Sequence, residues 1–139
     1  MERYEAFGLP GPLGYIAARS APLAAAGPQA VEAAFGSISP LGIVLAQHCE
    51  VTALTKGAVM HEGSCCSRLG LPGWPAIAEE LMLFRDIELV RLTGVPMHFL
   101  HLSTARSVAL VRAAKAEGLP ITAEAAPHHF SLTDECLSA

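Results

Sequence analysis

The sequence predicts a parallel α/β fold, built from about three parallel strands with intervening helices. Short apolar runs at 43–48, 97–102 and 120–125 read as buried strands. Helix-length segments at 76–92 and 104–117 lie between them, and the two kinds of segment alternate along the chain. Three strands cannot close a barrel, and an eight-stranded one typically takes about 250 residues. The expectation is therefore an arc, a partial (β/α)8 TIM-type barrel.

Residues 1–40 are rich in Ala, Gly and Pro, and Leu9-Pro10-Gly11-Pro12 and Ala26-Gly27-Pro28 interrupt any helix there. A short helix at 29–35 is compatible with Pro28 in its first turn. The segment carries no chemical motif and is read as irregular, with no function assigned. The organised unit is 41–139. Its first strand, Ile43-Val44-Leu45-Ala46-Gln47-His48, ends on a polar residue and leads into a Gly- and Ser-rich loop through Gly63, Gly70 and Gly73. Pro75 opens the first long helix, Gly94 closes it, and Ala78, Leu81, Met82, Leu89 and Leu92 supply its apolar stripe. In the strand at 97–102, the two-residue period puts Met97, Phe99 and His101 on one face and turns His98 toward the helices. Ser103 or Thr104 caps the second helix, and Gly118 terminates it.

Apolar residues make up 52% of the chain and charged ones 16%, which excludes a disordered polar segment. A net charge of -4 argues against a nucleic-acid partner held mainly through phosphates. No apolar stretch is long and unbroken enough to suggest a membrane span, and the first residues lack the basic start and continuous apolar run expected of a signal peptide. Cys49, Cys65, Cys66 and Cys136 lack the spacing of a disulfide framework and read as free thiols of a cytoplasmic protein.

In parallel α/β proteins ligands gather where strands end. His48 ends the first strand and His101 lies near the end of the second. A neutral imidazole there can bind zinc, with a partner orienting its other nitrogen. Ordinary polar residues at strand ends are the plainer alternative, and position alone does not choose. His128 and His129 would point to opposite sides of a strand, which favours capping or a loop hydrogen bond over joint chelation. His61 beside Glu62 suggests a surface ion pair. Glu50 and Glu124 suit acid–base work only where buried. Cys65 and Cys66 have no base beside them.

An ordered set of segments carries more weight than any one of these. Gln47-His48-Cys49-Glu50, Met60-His61-Glu62-Gly63, Leu69 through Ala76 (LGLPGWPA), Ala78-Glu79-Glu80 and Arg85-Asp86-Ile87 come first. His101-Leu102-Ser103-Thr104-Ala105, Ser107-Val108, Ala114-Lys115, Thr122-Ala123-Glu124, Pro127-His128-His129-Phe130 and Leu132-Thr133-Asp134-Glu135 follow. Over about 43–137 this set resembles the dihydroorotases of the amidohydrolase superfamily, in their long bacterial form. Allantoinases and hydantoinases share the histidine pattern, whereas the stretch from Ser67 through Gly73 favours dihydroorotase.

The resemblance implies a zinc-dependent hydrolase of pyrimidine biosynthesis that interconverts carbamoyl-aspartate and dihydroorotate. It implies that His48 and His101 are metal ligands at the ends of the fifth and sixth barrel strands. It carries no ligand role to His128 or His129. The family's His-x-His pair, its substrate-binding arginine and its Asp-Asp-Gly aspartate have no counterpart: no His-x-His occurs, and the first aspartate is Asp86. Val51 stands where a polar residue usually follows Glu50. The general base is expected beyond Ala139, so no catalytic residue is assigned here. The expected protein is an internal dihydroorotase fragment, inactive as a chain on its own. A non-catalytic scaffold, partnering aspartate carbamoyltransferase or its own copies, and a hydantoinase-type hydrolase are the alternatives.

Overall fold

In the computed structural model the described residues are 6–7, 15–18, 42 and 44–137, the first two stretches as backbone only. They form a five-stranded sheet in the order β1-β2-β3-β6-β7. The strands are β1 (Ala6–Phe7), β2 (Tyr15–Ala18), β3 (Val44–His48), β6 (Met97–Leu100) and β7 (Ile121–Ala123). A separate pair, β4 (Met60–His61) and β5 (Gly73–Trp74), is also parallel. β2, β3, β6 and β7 run parallel, and β1 joins the edge of β2 antiparallel.

The three expected strands are thus present, each one to three residues shorter than its apolar run. The sheet continues on one side with two short strands from the segment read as irregular, and the helix expected at 29–35 lies outside the described residues. Two long helices make the crossovers. α3 (Ile77–Thr93) joins β3 to β6, and α4 (Ala105–Ala116) joins β6 to β7. Three short helices sit in the loops: α1 (Thr52–Thr55), α2 (Ser64–Leu69) and α5 (His128–Ser131).

Local chemistry sets the boundaries of the long helices. Gly94 takes the left-handed conformation at φ 70°, and its N–H donates to Val90 O at 2.8 Å, closing α3. Glu79 and Glu80 lie in the first turn of α3 and Arg91 in its last, matching the helix dipole. Thr104 caps α4 by accepting the Ser107 N–H at 3.1 Å. Gly118, at φ 81°, turns the chain toward β7.

One core lies between the sheet and the two long helices, joining Leu45, Met97, Phe99 and Ile121 to Met82, Leu83, Ile87, Val90, Val111 and Ala114. Two expectations about facing are corrected by this packing. Leu81 and Leu92 of the proposed stripe are exposed, while Leu83, Ile87 and Val90 take the buried face together with the polar Glu79 and Asp86. Two carboxylates on the inner face obscure the apolar period in the sequence. Met97 and Phe99 pack with the helices, whereas His98 lies on the opposite face, its Nδ1 2.7 Å from Thr122 Oγ1. Strand parity misleads because the strand ends at Leu100 and His101 no longer continues its alternation.

The long loop after β3 folds into β4, α2 and β5 around a satellite cluster of Met60, Cys65 and Cys66. Gly73 permits the close approach of these strands, since a Cβ there would lie 2.8 Å from Glu62 Cα. Among the described residues no helix is long and apolar enough to cross a membrane.

Candidate metal-binding face

The loops leaving β3, β6 and β7 share one end of the sheet. The register pairs His48 with Leu100, so β3 and β6 end level and His101 follows one residue later. His101 adopts φ 35°, alone among the described non-glycine residues in having a positive φ. Such a conformation costs energy in a residue with a side chain and persists only where its surroundings impose it. The two imidazoles come together with ring centroids 4.8 Å apart and planes inclined by 51°.

His48 is oriented from its own loop. Its Nε2 lies 3.0 Å from Glu50 Oε2, and the other oxygen of Glu50 accepts the Thr55 hydroxyl. Glu50 is largely buried, as an acid–base role requires, and its contact leaves Nδ1 as the nitrogen of His48 not engaged by the carboxylate. Glu124 is half exposed and faces His98 at 3.5 Å. His129 Nδ1 donates to Leu102 O at 3.1 Å, the loop hydrogen bond anticipated for that pair. A carbonyl only accepts, so this contact fixes the protonated nitrogen. His128 and His129 lie in α5 rather than a strand, with ring centroids 4.3 Å apart.

The turn after His101 is tied down by Glu79. Its carboxylate accepts the Ser103 N–H at 3.0 and 3.1 Å, the Ser103 hydroxyl at 2.6 Å and the Thr104 N–H at 3.2 Å. Residue spacing gave no hint of this contact. A glutamate in a helix first turn reads as a dipole partner, and the donors lie 24 and 25 residues away in sequence.

Behind the strands lies a second polar group. Asp86 is fully buried, and Arg85 holds its Oδ1 through Nε at 2.8 Å and Nη2 at 2.7 Å. Burial pushes the Asp86 carboxyl up to about 6, against the opposing pull of Arg85 and of Gln47. Gln47 is fully buried too, but its amide atoms lack a hydrogen bond of standard geometry, so its pull on Asp86 is the weakest of these. Burial, then the nearby Asp86 and Glu79, holds the Cys49 thiol far above its ordinary value and keeps it protonated. Cys65 donates to Asp134 O at 3.3 Å and Cys66 to Gly63 O at 3.1 Å.

A cleft of about 920 Å³ opens among the same loops, lined in part by His61, Trp74, Glu80, Arg106, His129 and Asp134. His48 and His101 do not line it. His61 belongs to β4 and contributes to this cleft. Among the described residues no three His, Cys, Asp or Glu side chains form a group able to hold a metal ion. His48 and His101 are two imidazoles, one fewer than the three protein ligands that catalytic zinc takes.

Parallel strands joined by crossover helices make up part of a TIM-type barrel. Solved hydantoinases share this fold. A D-hydantoinase from Thermus sp. superposes with TM-score 0.60 at 23% identity, over 79% of this chain and 25% of that one. The D-hydantoinase of Bacillus sp. AR9 gives 0.63 at 19%, over 91% of this chain and 28% of that one.

Sequence narrows the class. The dihydroorotase of Pelotomaculum thermopropionicum is 56% identical over 97 residues, 70% of this chain and 23% of that protein. That of Deinococcus radiodurans is 53% identical over 97 residues, with the same coverage of each chain. That of Streptomyces coelicolor is 52% identical over 92 residues, 66% of this chain and 22% of that protein. The chain is thus similar to one stretch of these dihydroorotases, consistent with an internal fragment, and spans about a quarter of the length of the curated relatives it matches. Residues 1–61 also match a family described as the Helix-turn-helix family. The described elements in that range are β1, β2, β3, α1 and β4.

Proposed function

We propose that the segment contributes His48 and His101 to the zinc site of a dihydroorotase, the reversible cyclic amide hydrolase that interconverts dihydroorotate and carbamoyl-aspartate. The observation that carries this reading is the meeting of the two imidazoles at the C-terminal ends of β3 and β6. High identity to dihydroorotases supports the choice of substrate over the hydantoins of the structurally similar enzymes. His48 and His101 would hold the zinc jointly with ligands from the rest of the barrel, and the metal would supply Lewis acidity toward the ring carbonyl and an attacking water.

The residues of this chain do the work of placement. Glu50 turns the His48 ring through Nε2, and Thr55 steadies Glu50 in turn. The left-handed backbone at His101 brings its ring alongside. The third ligand and the proton acceptor come from elsewhere, so catalysis requires the remaining barrel strands. Zinc, a cytoplasmic location and association with further barrel segments, as a second copy or within an assembly with aspartate carbamoyltransferase, belong to this reading.

Zinc content and dihydroorotate hydrolysis, measured on the purified chain and on His48→Ala and His101→Ala, test it. The expected result is weak zinc binding lost in both variants, with turnover only when the rest of the barrel is supplied. Equal zinc binding in both variants and the parent chain would falsify it.

A further inference from the structure

The strained turn at His101 needs a cause, and the first turn of α3 supplies one. We propose that Glu79 is a positioning residue, which holds His101 against His48; its bearing on zinc rests on the function proposed above. Two adjacent residues of that turn reach the two loops. Ala78 O accepts the Val51 N–H at 3.0 Å, fixing the chain three residues after His48. Glu79 takes the backbone N–H groups of Ser103 and Thr104 and the Ser103 hydroxyl, fixing the chain two and three residues after His101.

The first turn of one crossover helix therefore sets the separation of both ligand loops. The donors suit a carboxylate. The N–H groups of Ser103 and Thr104 precede α4, where amides have no partner within the helix and the helix dipole favours a negative charge. Both carboxylate oxygens accept, so the contact fixes the direction of the turn as well as its distance. Glu79 itself is nine-tenths buried, and no ion pair involves it among the described residues.

Two other contacts hold the intervening Leu102. Its N–H donates to Glu124 O at 2.9 Å, and its carbonyl accepts from His129. They fix Leu102 to β7 and α5. Glu79 alone among the three ties the turn to the helix that also anchors the His48 loop.

The test uses the full chain with two readouts: the nuclear Overhauser effect between the ring protons of His48 and His101, and zinc affinity by chelator competition. Glu79→Ala is expected to abolish the ring-to-ring signal and to weaken zinc roughly 10–100-fold, the usual cost of losing a group that orients a ligand. Glu79→Gln exchanges one accepting oxygen for an NH2 group, so both readouts are expected to fall there too. Val111→Ala serves as the control, because it loosens the buried core at α4 without touching the turn; it is expected to keep the signal. A full signal in either Glu79 variant, its absence in the parent chain, or its loss in Val111→Ala overturns the proposal. Where Glu79→Ala fails to fold, Glu79→Gln decides between the same two outcomes. A parent chain that binds no zinc, with the signal lost only in the Glu79 variants, refutes the zinc reading and upholds the positioning role.

Discussion

His48 and His101 are separated by 53 residues (101 minus 48), yet their ring centroids lie 4.8 Å apart. The level ends of β3 and β6 create the meeting, and the backbone at His101 completes it. A residue continuing the strand beyond Leu100 would have alternated away from its neighbour's face; the positive φ redirects it. If the proposed zinc role holds, His101→Ala and His48→Ala should each weaken zinc by more than the roughly 10–100-fold lost with an outer partner, since each would remove a direct ligand. Competition against a chelator of known affinity checks this. Glu50→Gln should produce the smaller loss, because it retains one oxygen near His48 Nε2 while removing the charge.

Stability should depend on Asp86. Its folded pKa of about 6 lies above its ordinary value of 3.8, so between those values the folded chain binds more protons than the unfolded chain. This contribution is fully present below pH 3.8 and is lost as pH rises through about 6. The loss amounts to roughly 3 kcal/mol when the shift is converted at about 1.36 kcal/mol per pKa unit. Urea midpoints from about pH 4 to 7 should fall with pH more steeply for the parent chain than for Asp86→Asn, which has no proton to lose. Equal slopes would place the titration elsewhere.

Much of this fold is legible in the sequence because β3, β6 and β7 are short apolar runs and α3 and α4 end at glycines. Those signals are local. The histidine pair is legible as two strand-end residues, but its closeness is not, because the φ of His101 is imposed by contacts distant in sequence. Alternation misplaces Met97, Phe99 and His98 for the same reason: it counts His101 as part of the strand. The β4–β5 pair escapes because two-residue strands leave no period to read, and their loop resembles a Gly- and Ser-rich connector. Glu79 and Asp86 escape because carboxylates on a helix read as a solvated face until the partners that bury them are known.

The β4–β5 pair makes its own prediction. At Gly73 an added Cβ would come within 2.8 Å of both Cα and Cβ of Glu62, so backbone must shift. Gly73→Ala should destabilise the chain by about 1–3 kcal/mol, the range for forcing extra atoms into a packed site. Gly57→Ala is the informative comparison. No atom lies within 4 Å of a Cβ there, although φ 78° strains an L residue, so its cost should be about 1 kcal/mol. Thermal melts of both variants separate crowding from backbone strain; equal losses would assign the Gly73 effect to something other than Glu62.

The open sheet predicts association. Among the described residues β7 pairs only with β6, leaving its outer edge without a strand. Phe84, Leu92, Phe130 and Leu132 also stand more than half exposed. An exposed strand edge beside apolar surface is a template for another chain, and natural edges commonly discourage this with lysine. The isolated chain should therefore sediment with a mass that rises with concentration. Thr122, on the exposed face of β7, is the place to intervene. Thr122→Lys puts a charge beside the edge while leaving Ile121 in the core, and should weaken association about tenfold, equivalent to about 1.4 kcal/mol. Loss of the Thr122 hydroxyl contact to His98 comes with that change, so Thr122→Val is needed beside it. Weaker association in Thr122→Lys alone locates the contact at the β7 edge. Weakening in both traces it to the His98 contact, and no change in either moves the contact to the apolar helix surface.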